Sequence, residues 1–177
     1  LYPNIRDVPP VRGEEAILPN GKPMGTYKYW SPRAQQTMVD HVKGLLKLYR
    51  PGMTRLSGDR ILMQTMFEPI PKPSFDAEGR GHYFAWLAAR YDIDAINRRY
   101  GLAKKSFDEL RVEEYWLGPE SLNWVDCTRP TAEDFATRSA DFNRWIDNQN
   151  YLADVLSEYL KTMKAHWRAI DPAIHIE

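Results

Sequence analysis

The feature that most narrows the choice of fold is the stretch Asp59-Arg60-Ile61-Leu62-Met63-Gln64-Thr65-Met66-Phe67-Glu68-Pro69. Its core, Ile61 to Phe67, is almost unbroken apolar sequence, the pattern of a strand covered on both faces in a parallel sheet. Prolines at 69, 71 and 73 lack the backbone donor that continued pairing requires, so the strand must stop there. A carboxylate, Glu68, stands at its carboxyl end. Barrel enzymes keep their chemistry at the C-terminal ends of parallel strands, and the alternative is an acid that ends the strand and faces water.

The flanking sequence reads as helices. Residues 1–30 form a loop or extended region broken by Pro3, Pro9, Pro10, Pro19 and Pro23, with a hairpin turn signalled by Asn20-Gly21. Ser31-Pro32 opens a first helix, serine as N-cap and proline at the first helical position. Met38, Val42, Leu45, Leu46 and Tyr49 recur at helical spacing until Pro51-Gly52, where the helix is expected to end. Ile70 to Gly81 reads as a loop, and the next helix is expected near His82. A short helix through Ile93, Ile96 and Tyr100 stops at Gly101. Residues 102–130 read as an irregular insert. A capping box at Thr131 to Asp134 then predicts one long final helix that breaks at Asp171-Pro172. Ile174 and Ile176 alternate with polar residues, as at the start of a strand. One strand and one stub are too few for an independent sheet, which implies neighbours from the rest of a barrel or from a partner chain.

Composition narrows the function classes. The 177 residues are enough for one sizeable core. Twenty-four basic and twenty-four acidic residues cancel, so no net field favours nucleic acid or an anionic membrane, and no apolar run is long enough for a membrane span. The lone Cys127 excludes an internal disulfide framework and a cysteine-cluster zinc site. The four histidines show no metal-ligand spacing, no phosphate loop or nucleophile–base pattern is present, and no cofactor is expected. The compartment stays open, with a lean toward the cytoplasm, and a homo-oligomer is compatible with the chain.

The run Phe84-Ala85-Trp86-Leu87-Ala88-Ala89-Arg90-Tyr91, followed by Ile93-Asp94-Ala95-Ile96-Asn97-Arg98-Arg99-Tyr100-Gly101, resembles a signature stretch of the glycoside hydrolase family 42 β-galactosidases. Ser106-Phe107-Asp108-Glu109-Leu110 and Asp141-Phe142-Asn143-Arg144-Trp145 are similar to that family's next landmarks, and Tyr2-Pro3 and Ser31-Pro32 to its upstream pairs. The resemblance implies an α/β chain, helix-rich with few strands. Residues 1–177 would be a partial catalytic domain, a section of a (β/α)8 TIM barrel from the loop after its third strand to the start of its fifth. It further implies a retaining, β-galactosidase-like hydrolase acting on a carbohydrate substrate, with Glu68 as general acid/base and the nucleophile on a seventh strand outside these residues. Phe67 stands where the family has the sugar-binding Asn, the segment Leu102 to Lys105 is shorter than its counterpart, and the zinc-binding cysteines of some members are absent. A barrel that has lost catalysis and kept carbohydrate binding or a structural role is the alternative.

Glycoside hydrolysis needs a proton donor and a second carboxylate, about 5 Å apart in retaining enzymes. Phe67 and apolar neighbours would desolvate Glu68 and raise its pKa toward that of a working general acid. Phe67, His82, Trp116 and Trp124 are the substrate-contact candidates, weighed against core or loop-anchoring roles. Asp76 and Glu78 read as a solvated loop face, and Lys104-Lys105 as a solvated turn.

Overall fold

A computed structural model describes residues 13–57, 61–63, 71–110 and 132–176. The elements in chain order are β1 (Glu15–Ile17), β2 (Pro23–Tyr27), α1 (Pro32–Ser57), β3 (Ile61–Met63), α2 (Ala77–Ala88), α3 (Ile93–Tyr100), a 3-10 turn (Phe107–Glu109), α4 (Ala132–Thr137), α5 (Ser139–Ile170) and β4 (Ile174–Ile176). The chain is helix-rich with few strands, as expected, and it divides into two compact units. The first comprises residues 1–15, 25–71 and 154–177, the second residues 16–24 and 72–153.

In the first unit, α1 starts where Ser31-Pro32 requires. The Ser31 hydroxyl accepts the amide of Ala34 and donates to the buried carboxylate of Glu14, which Arg33 also approaches at 3.6 Å. Met38, Val42 and Leu46, spaced by four, are buried along α1, and Val155, Tyr159, Met163 and Trp167 repeat that spacing on the C-terminal part of α5. The Tyr29 ring meets Tyr159 edge-on at 5.0 Å between centroids. The helix does not end at Pro51-Gly52 but continues to Ser57. Proline already has a helical φ, so its cost is one hydrogen bond and a clash with the preceding turn, about 3 kcal/mol. Tertiary ties offset it here; next to it, the Arg50 guanidinium reaches Asp171 at 3.1 Å.

The apolar stretch forms a strand at Ile61–Met63, and its neighbour is the stub at the other end of the chain. β3 and β4 pair in parallel, with Ile61 opposite Ile174 and Met63 opposite Ile176. One neighbour of β3 thus comes from within the chain, where the sequence alone points to the rest of a barrel or to a partner chain. Two short strands far apart in sequence supply each other's first ladder, and Ile174 is buried beneath it. Residues 64–67 lie outside the described residues.

In the second unit the hairpin turn falls at Asn20-Gly21. The Leu18 amide bonds the Lys22 carbonyl, the Asn20 side chain accepts from the Lys22 amide, and Gly21 takes a positive φ of 79° that a side chain would disfavour. α2 begins at Ala77 rather than near His82. Asp76 caps it, taking the Gly79 amide at 2.9 Å and the Ser74 hydroxyl at 2.8 Å. A good N-cap outweighs the helix-weakening glycines at 79 and 81, so Asp76 and Glu78 belong to a helix start rather than to a loop. α3 is capped by Asp92 and closed by Gly101 at φ 66°. The single long final helix is in fact two, α4 and α5, parted at Arg138. Thr137 returns its hydroxyl to the Glu133 carbonyl at 2.7 Å, a side-chain bond that competes with helix continuation.

Candidate functional site

The polar centre of the second unit is Asp147, on the N-terminal part of α5 and fully buried. The Arg99 guanidinium grips it with both nitrogens, Nε to Oδ2 at 2.6 Å and a terminal nitrogen to Oδ1 at 2.9 Å. The Tyr100 hydroxyl donates to Oδ2 at 2.8 Å and the Tyr91 hydroxyl to Oδ1 at 3.2 Å. A carboxylate that takes two donors on each oxygen has its acceptor capacity largely filled. Asp147 is therefore a structural anchor that ties α3 to α5. Its hydrogen bond strengthens the hold of Arg99 on its proton, and burial beside Tyr83 and Asp147 keeps the Tyr100 phenol protonated far above its usual range.

The same contact finishes α3. The last carbonyls of a helix lack internal donors; Asn143 supplies one to Arg99 O at 2.9 Å and Arg144 one to Tyr100 O at 2.8 Å. Asn97 then exchanges two bonds with the Lys104 backbone, at 2.7 and 2.8 Å, which folds the chain back after Gly101. The segment 104–110 is held in this way beside α2, and the two enclose a groove of about 830 Å³. Gly81 and Ala85 line it with almost no side chain, Phe84 and Phe107 contribute rings, and Arg80, Lys104, Asp108 and Glu109 contribute charge.

His82 faces a different neighbour. Its Nδ1 lies 2.8 Å from the Tyr151 hydroxyl, inside an aromatic cluster in which Tyr83 meets Tyr151 edge-on and stacks on Trp86. Burial lowers the His82 pKa below 6.5, and the Glu78 carboxylate only partly opposes this. A histidine with a depressed folded pKa stabilises the fold above the unfolded value, and that contribution is lost as pH falls through the window below 6.5. Urea unfolding at pH 7.5 and at pH 5.5 should therefore show a loss of stability in acid that His82→Gln reduces. An equal loss in the variant would show that His82 is not the titrating group.

No protein-family model matches this chain, and no curated protein or solved structure is significantly similar to it.

Of the residues singled out in the sequence, Glu68, Phe67, Trp116 and Trp124 lie outside the described residues. His82 is described, and it packs against Tyr151 without lining the groove. Among the described residues no three of His, Cys, Asp and Glu gather as metal ligands, and no helix is long and apolar enough to cross a membrane. The Arg99–Asp147 pair and the groove were not legible from the sequence. Asp147 sits beside the apolar stripe at Ile146, and only an acid on the inward face of a helix hints at a buried partner.

Proposed function

We propose that the chain is a section of a (β/α)8 barrel with β-galactosidase-like glycosidase activity, in which Glu68 is the general acid/base. The observation that carries this reading is the parallel pairing of β3 with β4 across a long helical crossover. Parallel neighbours joined through helices are the repeating unit of such barrels, and in this reading the two strands would be the fourth and fifth. Glu68 follows β3 in the chain by a few residues, toward its carboxyl end. The nucleophile would come from a strand beyond these residues.

The test is hydrolysis of an aryl β-galactoside by the complete protein, with the strand that carries the nucleophile, and by its Glu68→Gln variant. General acid–base catalysis contributes about 10²–10⁴ in rate, so the variant should lose that much and regain part of it with azide. Undiminished turnover in Glu68→Gln would remove the assignment. Galactoside binding without turnover in the complete unaltered protein would favour a barrel that binds carbohydrate only.

A further inference from the structure

We propose that the groove between α2 and the segment 104–110 is a binding site for an acidic monosaccharide, a sugar ring carrying one carboxylate or phosphate. This goes beyond the glycosidase reading and does not depend on Glu68.

The volume, about 830 Å³, falls within the range of small-molecule sites and leaves room for a sugar ring with its substituents. The charges on its walls select among ligands. Arg80 and Lys104 make no side-chain hydrogen bond or ion pair with any described residue, so two cations line the groove with no ion pair among the described residues. Arginine and lysine hold carboxylates and phosphates through charge-assisted hydrogen bonds. A ligand that is only an anion would meet repulsion from Asp108 and Glu109 on the same wall. Ionised carboxylates are acceptors only, and hydroxyl groups are the donors that suit them. Glu109 already takes the Lys105 amide at 3.0 Å, which fixes the 3-10 turn and leaves Asp108 exposed. The half-buried rings of Phe84 and Phe107 offer apolar surface to the C–H face of a sugar ring, and the near-absence of side chain at Gly81 and Ala85 lets the ring approach the helix. A neutral sugar would leave both cations unused. An acid-bearing sugar uses cations, carboxylates and rings together.

Titration of the full chain with D-galacturonate, D-glucose 6-phosphate and D-galactose, followed by calorimetry and by amide NMR shifts, tests the proposal. At least one acidic sugar should bind with a Kd of about 1 mM or tighter, at least about tenfold more tightly than galactose. The tighter of the two acids shows whether the acidic group is a carboxylate or a phosphate. Arg80→Met and Lys104→Met should each weaken that binding about tenfold, with shifts mapping to α2 and residues 104–110. Both positions carry solvent-accessible side chains, and unchanged circular dichroism confirms that the variants fold. Glu68→Gln should bind as the unaltered chain does, which separates this site from the glycosidase reading. The proposal is overturned by no acidic-sugar binding up to about 10 mM, by equal affinity for galactose, or by binding that neither cation variant weakens.

Discussion

Asp147→Asn should be among the most destabilising single changes in the chain, costing about 3 kcal/mol. Removing one partner of a buried ion pair costs about 3–5 kcal/mol, because the other charge is left without compensation. The lower end applies here because Arg99 keeps 28% of its side chain exposed while Asp147 has none, so water screens part of the stranded guanidinium. The amide also presents one acceptor where the carboxylate presented two, so in either orientation one Arg99 nitrogen and one tyrosine hydroxyl, of Tyr91 or Tyr100, lose their acceptor. For a domain of this size the loss corresponds to a fall in Tm of about 2–4 °C per kcal/mol. Arg99→Met combined with Asp147→Leu should recover a large part of it, since neither charge is then buried alone. A value for Asp147→Asn within about 0.5 kcal/mol of the unaltered chain, the range of ordinary surface changes, would mean that the pair does not hold α3 to α5.

The parts of the fold legible in the sequence are those where one local rule meets no opposition. Ser31-Pro32, Asn20-Gly21 and Gly101 sit where their capping or turn chemistry puts them, because each acts through its own backbone neighbours. The boundaries that moved are those where two rules compete. At Pro51 a helix breaker meets a helix that runs on to Ser57, tied beside the proline by the Arg50–Asp171 pair. At Asp76 a strong cap precedes two glycines, and the cap prevails. At Thr137 the apolar period runs on, but a hydroxyl that bonds its own backbone accompanies the break between α4 and α5. The pairing of β3 with β4 joins residues more than a hundred positions apart, and no window of local sequence contains it. The same holds for the groove. Arg80 and Lys104 read as ordinary exposed charges until the two Asn97 bonds bring the second segment alongside α2.

Gly79→Ala should destabilise the chain by about 2–4 kcal/mol, against the direction that helix propensity alone requires. Alanine in place of an interior glycine ordinarily gains up to about 1 kcal/mol. A Cβ at position 79, however, would stand 2.2 Å from the carbonyl oxygen of Ser74 and 2.7 Å from its carbonyl carbon. These are backbone atoms and cannot swing aside as a side chain would. Ser74 is also tied in place, since its hydroxyl accepts the Ile17 amide at 2.9 Å and donates to Asp76, while the Phe75 amide bonds the Ile17 carbonyl at 2.8 Å. Moving Ser74 therefore strains a buried knot that includes the cap of α2, where each lost hydrogen bond costs about 1 kcal/mol in addition to the overpacking. Gly44→Ala is the matched control. It lies on the exposed side of α1, a Cβ there meets nothing within 4 Å, and the substitution should stabilise by about 0.5–1 kcal/mol. Urea denaturation of the two variants side by side decides the matter. Should Gly79→Ala prove as stable as Gly44→Ala, the close approach of α2 to the Ser74 backbone, and with it the cap that starts the helix at Ala77, would be wrong.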